Sequence, residues 1–302
     1  MRESLHDYMR VGLVHFMAYP ECMGGDGPIV ETVQRLCTDP FFEVLEITRI
    51  NDAEQRRQVR ECCEQAGVML GFGAQPILLG GTLDLNHPDA ADRGRAVAAV
   101  VAGIDQAAEM GIGRVAVLSG RVSEDKAAAM DRLIESLLGL CDHAATHGIE
   151  VVLETFDQVS YGKNCLIGST RDAVQVSEAV RRRHPSFGLM LDMSHLPLQG
   201  EEFAAAIAEA GDHLVHAHIG NCAMDDPAHP AYGDNHPRFG APGTRNGVKE
   251  LTAFLRVLLD AGYIGREARR IVSFEVKPMA GEMPDAVVAG SKRALVEAWR
   301  RV

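Results

Sequence analysis

An eightfold alternation of short apolar runs with longer helical patterns restricts this chain more than any other feature. The runs are Arg10–Phe16, Phe42–Ile47, Val68–Ala74, Arg114–Ser119, Glu150–Thr155, Phe187–Met193, His213–Ile219 and Ile271–Val276. They are rich in Val, Ile, Leu and Phe with little polar alternation, the pattern of strands covered on both faces. Helical periodicity falls near residues 27–38, 52–66, 90–110, 124–147, 170–183, 200–210, 247–262 and 284–301. Asn51-Asp52 and Ser169-Thr170 are start signals for two of these helices, and Gly67, Gly111, Gly113 and Gly148 mark turns into strands. No linker or change of composition interrupts the sequence. The expected architecture is therefore one α/β domain over residues 1–302, a single closed (β/α)8 TIM barrel. An open doubly wound sheet commonly stops at about five or six strands and carries a glycine fingerprint after the first. Gly24-Gly25-Asp26-Gly27 lacks that spacing.

In such a barrel the residues at the C-terminal strand ends converge on one pocket. In chain order these are His15, Glu46, Gln75, Ser119, Glu154, Asp192 with His195, His218 and Glu275. The last four strands end on metal-ligand types, each closing an otherwise apolar run. Burying one such charge unpaired costs on the order of several kcal/mol, and a shared divalent cation compensates all of them. Salt bridges to arginines serve for one carboxylate but account poorly for four successive strand ends. In His216-Ala217-His218 both imidazoles face the same side of the strand. His218, nearer the C-terminal end, is the expected ligand, with His216 one layer deeper. His15 and Glu46 are expected at the barrel rim, lining the pocket or serving the structure. Lys277 faces the same side as Glu275 and either supplies positive charge to a substrate or pairs with a barrel carboxylate. The segment Gly220–Gly247 is the longest connection, and connections of that length in a compact domain are usually functional. Within it Asp234 and His236 are candidates to bind substrate hydroxyls, and Arg238 a carbonyl, carboxylate or phosphate oxygen. The plainer alternative is a Pro/Gly-rich surface excursion.

The motifs Leu153-Glu154-Thr155, Leu191-Asp192-Met193-Ser194-His195, His216-Ala217-His218 and Phe274-Glu275-Val276-Lys277-Pro278 resemble those of the xylose-isomerase-like superfamily of barrels. The resemblance runs over essentially the whole chain. Members of that superfamily include ketose 3-epimerases, hydroxypyruvate isomerases, inosose-processing enzymes and endonuclease IV. The resemblance implies that Glu154, Asp192, His218 and Glu275 hold a divalent metal and that His195 contacts a substrate oxygen. Three carboxylates and one imidazole form a hard donor set, so Mn2+ is the expected ion, with Mg2+, Co2+ and Zn2+ as alternatives. In the ketose epimerases that this chain resembles, the two metal-ligating glutamates remove and return the proton beside a carbonyl. Carried over, Glu154 and Glu275 are the acid–base pair of a sugar isomerase or epimerase working through an enediolate on a ketose or keto-sugar. With a leaving group expelled before reprotonation, the same chemistry gives a lyase or decarboxylase on an oxidised sugar or keto-glycoside. A non-catalytic metal- or sugar-binding barrel leaves the two glutamates unexplained. Asp234-x-His236 also resembles the aspartate–histidine ligand pair of endonuclease IV, which with His195 would complete another metal site. The histidines which that family places after strands three and four are replaced here by Gln75 and Ser119.

The formal net charge of −12 argues against nucleic acid as a partner, because phosphate backbones demand a concentrated basic surface. The densest basic run, Arg181-Arg182-Arg183-His184, falls at a helix end, where cations complement the helix dipole. No run approaches the roughly 18 apolar residues of a membrane span, and the charged N-terminus lacks the apolar core of a secretory signal. The 7 cysteines contain no C-x-x-C pair and read as thiols in a reducing compartment. A cytoplasmic location is expected, and the related barrels suggest a homo-oligomer acting on a small sugar.

Overall fold

In a computed structural model describing residues 3–158 and 161–302, the eight apolar runs become eight parallel strands that close on themselves. They are β1 (Arg10–Val14), β2 (Val44–Ile47), β3 (Met69–Gly73), β4 (Arg114–Leu118), β5 (Glu150–Glu154), β6 (Gly188–Asp192), β7 (Leu214–Gly220) and β8 (Ile271–Glu275). Neighbours in sequence are neighbours in the sheet, and β8 returns to β1 with Val11 opposite Val272. The main helices are α1 (Ile29–Cys37), α2 (Ala53–Ala66), α3 (Ala90–Glu109), α4 (Lys126–Ala145), α5 (Thr170–Arg181), α6 (Phe203–Ala210), α7 (Val248–Asp260) and α8 (Pro284–Arg301). The start signals act as the sequence suggests. Asp52 accepts the Gln55 N–H at 2.8 Å, and Ser169 Oγ accepts the Asp172 N–H at 3.2 Å. Such caps contribute about 1 kcal/mol each. Gly67 ends α2 at φ +68°, a left-handed conformation that costs glycine little.

Two-residue periodicity divides each strand between an outer and an inner face. Leu153, Leu191 and Phe274 belong to the main apolar core and are fully buried. Ala116, Val152 and Met190 form a separate small apolar cluster. Two residues further along β5 and β6, on the same face as Val152 and Met190, stand Glu154 and Asp192. That small apolar layer is therefore the floor beneath the strand-end side chains.

The sequence boundaries ran too long at several strand ends. Residues His15–Ala18, Gln75–Gly80 and His195–Gln199 form short helical turns directly after β1, near the end of β3 and after β6. A single turn is too short to produce a readable period. His15 is carried off the barrel rim as a result and does not line the cavity above it. Its Nε2 lies 2.7 Å from Thr32 Oγ1. The Thr32 hydroxyl hydrogen is directed to backbone carbonyls of Pro28 and Ile29, so the imidazole is the donor in this pair. Burial lowers the His15 pKa to about 4. A base depressed in the fold stays neutral there while the unfolded chain protonates. Its contribution is present above pH 6.5 and is lost as pH falls towards 4, amounting to about 3 kcal/mol. His15→Gln keeps a donor for Thr32 and removes the titration. Urea unfolding at pH 7 and pH 4 should show the parent losing about 3 kcal/mol more than the variant; parallel pH curves would exclude this origin of acid sensitivity.

Two cavities open at the two ends of the barrel. The one at the N-terminal ends of the strands, about 510 Å3, has Arg10, Arg114, Arg269 and Arg270 in its wall. The one at the C-terminal ends, about 420 Å3, has Glu46, Glu154, His218 and Glu275 in its wall. Chemistry in this fold collects at the C-terminal end. Among the described residues, no helix is long and apolar enough to cross a membrane.

Candidate metal centre and active site

Glu154 ends β5, Asp192 ends β6, His218 stands two residues before the end of β7, and Glu275 ends β8. Register brings Asp192 level with His218 and places Gly220 beside Glu275. One ligand-type atom from each of the four lies within 4.8 Å of the others. His218 Nδ1 is 2.8 Å from Glu275 Oε2, 3.5 Å from Glu154 Oε1 and 3.9 Å from Asp192 Oδ2. Glu154 Oε1 and Asp192 Oδ2 are buried and accept no hydrogen bond. Two buried carboxyl oxygens without donors, facing a third carboxyl group and an imidazole nitrogen, fit a divalent cation.

The remaining atoms of the same side chains are anchored. Gln75 Nε2 donates to Glu154 Oε2 at 2.7 Å, and the Ser194 N–H donates to Asp192 Oδ1. On its far side His218 Nε2 meets Glu46 Oε2 at 3.1 Å, while Glu46 Oε1 takes His216 Nε2 at 2.9 Å. With the His218 proton on Nε2, the Nδ1 lone pair is directed at the donor set. Burial opposes charge on His218, but the surrounding carboxylates, Glu46 foremost, hold its pKa well above the usual value. Burial likewise works against Glu46, yet the two histidines keep its carboxyl well below the usual range. Asp192 shows the opposite outcome: burial dominates and raises its pKa.

A second cluster adjoins the first. Asp192, His195, His236 and Glu275 also bring ligand atoms within 4.8 Å of one another. Asp234 Oδ1 lies 2.7 Å from His236 Nε2 and 3.0 Å from His195 Nε2, and Lys163 Nζ reaches Asp234 Oδ2 at 2.6 Å. His195 Nδ1 lies 2.7 Å from the Thr155 carbonyl and must donate to it. Gly220 permits this arrangement, since a Cβ there would lie 2.9 Å from His236 Nδ1 and 2.8 Å from the Glu275 carbonyl.

The long loop thus brings Asp234 and His236 beside His195 and the strand-end carboxylates. Asp234 reaches the cavity wall, whereas His195 and His236 are buried behind it, and Lys277 lines the cavity. Arg238 is not brought to the cavity. Its Nε pairs with Glu282 at 2.9 Å, with the side chain 46% exposed.

A family model described as xylose isomerase-like TIM barrel matches residues 31–292. The chain belongs to this family. The D-psicose 3-epimerase of Ruminiclostridium cellulolyticum is 28% identical over 103 residues, spanning 34% of this chain and 33% of that relative. The D-psicose 3-epimerase of Agrobacterium fabrum is 25% identical over 206 residues, 64% of this chain and 67% of its own. Among solved structures, D-psicose 3-epimerase from Clostridium cellulolyticum H10 matches with a TM-score of 0.70 at 19% identity over 97% of both chains. L-ribulose 3-epimerase matches with 0.74 at 17% identity over 97% of this chain and 96% of that one. A 3-keto-D-glucoside 4-epimerase from E. coli gives 0.68 at 16% identity over 95% and 99%. At these identities the structural matches establish the fold.

In this xylose isomerase-like barrel three side chains hold candidate site residues in place, a role the sequence did not assign to them. Gln75 was named as a strand-end residue and a missing histidine, Glu46 as a strand-end residue lining the pocket or serving the structure, and Lys163 not at all. Glu46 joins histidines 170 and 172 residues away, a contact that closure of the barrel creates. Glu46→Gln leaves one histidine without an acceptor and loosens the His218 tautomer. Mn2+ affinity by calorimetry should fall about 10–100-fold, and an unchanged affinity would remove Glu46 from the support of the metal centre.

Proposed function

We propose that this chain is a divalent-metal-dependent sugar isomerase or epimerase acting on a ketose or keto-sugar. The observation that carries the proposal is the convergence of Glu154, Asp192, His218 and Glu275 beside a 420 Å3 cavity, three of them in its wall and Asp192 fully buried behind, with oxygens of Glu154 and Asp192 left undonated. These four residues would hold the ion, with Mn2+ our first choice from the hard donor set. A bound divalent ion supplies Lewis acidity, which lowers the pKa of the carbon-bound proton next to a carbonyl.

The chain's own groups do the rest. Glu154, held by Gln75, and Glu275, beside His218, approach the cavity from β5 and β8 with two strands between them. One carboxylate removes the carbon-bound proton and the other returns a proton on the opposite face, which inverts the centre. Removal and return by one carboxylate between adjacent carbons gives aldose–ketose isomerisation instead. The names of the two curated relatives, both D-psicose 3-epimerases, favour inversion. Phe16 and Phe156 give the cavity an apolar wall suited to the C–H faces of a sugar ring. The experiment is incubation of metal-stripped and metal-restored protein with ketoses and 3-keto-glycosides in D2O. Metal-dependent appearance of an epimer or isomer, with deuterium at the adjacent carbon, supports the proposal. Loss of a substituent instead would move it to the lyase reading.

A second reading concerns His195, Asp234 and His236. Because His195 donates from Nδ1, a neutral ring presents its Nε2 lone pair to Asp234 Oδ1, and neither atom has a hydrogen bond. Either a proton or a second cation resolves that contact. Burial disfavours charge on His195, yet Asp234 outweighs it and raises the pKa well above normal, which suits the proton. The shared ligands Asp192 and Glu275 suit a cation. Metal stoichiometry separates the two. Two ions per chain, falling to one in His236→Ala, would assign these residues to metal; one ion in both proteins would leave them to bind substrate and position Asp234.

A further inference from the structure

The upper cavity distributes its charges unevenly. Its acidic lining is committed: Glu46 to His216 and His218, Asp234 to Lys163 and two histidines, and Glu154 and Glu275 to the candidate metal centre. Its basic lining is not. Lys163 is spent on Asp234, but Lys277 and Arg49 have no acidic partner within ion-pair distance among the described residues. Among the described residues Arg49 donates through Nε alone, to the Gly24 carbonyl at 3.2 Å.

These two cations share one side of the mouth. Lys277 follows Glu275 at the end of β8 by two residues, and Arg49 follows Ile47 at the end of β2 by two. The strand between them is β1, whose following turn contributes Phe16 and Met17 to the cavity wall. The candidate metal ligands rise from β5 to β8, so a substrate with its carbonyl end over Glu154 and Glu275 extends towards β1 and β2. A neutral polyol tail calls for a wall of both donors and acceptors, since every hydroxyl is both. The wall here offers two positive charges, apolar surface, no uncommitted acid and, as neutral polar groups, only the amides of Gln75 and Asn235 among the described side chains.

We infer that the substrate carries an anionic group, a carboxylate or phosphate remote from the reacting carbonyl, held by Lys277 and Arg49. This rests on reading the site as that of a sugar isomerase or epimerase, and it departs from the neutral ketoses named for the relatives.

D-Fructose, D-fructuronate and D-fructose 6-phosphate differ only at C6 and serve as probes. Their binding to the Mn2+-loaded protein is measured by calorimetry, and deuterium uptake from D2O is followed in parallel. One of the two anions should bind at least about tenfold more tightly than fructose. Tighter fructuronate identifies a sugar acid, and tighter 6-phosphate a sugar phosphate. The advantage should vanish in Lys277→Met and Arg49→Met and persist in Lys277→Arg, which also controls for misfolding. Equal binding of all three, no binding of any, or an anion preference that survives both methionine variants overturns the inference. Deuterium exchange with equal binding overturns it while leaving the isomerase reading intact. Lys277-dependent anion binding without exchange does the reverse.

Discussion

Glu275→Gln, in protein saturated with Mn2+, loses proton exchange at the substrate carbon by about 10²–10⁴-fold. Glutamine fills the same volume and retains one oxygen towards the donor set, so the loss reflects basicity more than shape. Glu275 Oε2 lies 2.8 Å from His218 Nδ1 and Oε1 lies 3.5 Å from His236 Nε2, so an imidazole adjoins each of its oxygens. Burial raises its pKa, but His236 and His218 more than offset that and keep the carboxyl below the usual range, ready to accept a proton. Glu154→Gln should behave alike, because Gln75 already holds its other oxygen. Glu150→Gln is the control. It lies on the same strand at the opposite end, paired with Arg114 at 2.8 Å, and should exchange like the parent. If both Glu154→Gln and Glu275→Gln kept full exchange with metal bound, the acid–base pair would lie elsewhere.

The second large effect is on stability. Mn2+ at a free concentration about a thousandfold above its Kd should raise the unfolding free energy by about 4 kcal/mol, and Asp192→Asn should abolish that increment. The metal-free behaviour has the opposite sign. Burial raises the Asp192 pKa, so the ionised carboxylate is disfavoured in the fold. The folded state then holds its proton more tightly than the unfolded chain, and stability falls as pH rises from the unfolded value of about 4 through the folded one. Asparagine keeps an oxygen for the Ser194 N–H and carries no charge. Asp192→Asn should therefore be more stable than the parent in chelator at neutral pH and less stable than the parent in Mn2+. Chemical unfolding with and without chelator reads both signs. A variant destabilised equally in both conditions would mark Asp192 as a structural residue.

The parts of the site legible in the sequence are those that strand geometry alone places. Glu154, Asp192 and Glu275 each close a run that is otherwise apolar, and closing the barrel brings such ends together without further information. The two-residue spacing of His216 and His218 sufficed to rank them by depth. What lay outside sequence reasoning depends on contacts across the barrel or on irregular backbone. Glu46 meets His218 across the interior, from strands β2 and β7 that β1 and β8 separate in the closed sheet. His15 left the rim because the chain turns helical at that residue, and the sequence gives one helical turn no period. Arg238 and Lys163 exchanged their expected importance. The nearby Glu282 holds Arg238 at the surface, whereas Lys163, from the connection after β5, reaches the Asp234 carboxylate. Both outcomes follow from loop paths that no periodicity encodes.

Anomalous diffraction at the manganese edge from crystals grown with Mn2+ tests the central claim most directly. The account predicts a strong peak about 2 Å from oxygens of Glu154, Asp192 and Glu275 and from His218 Nδ1, absent in Asp192→Ala. A peak confined to His195, Asp234 and His236, or none at saturating Mn2+, would contradict it.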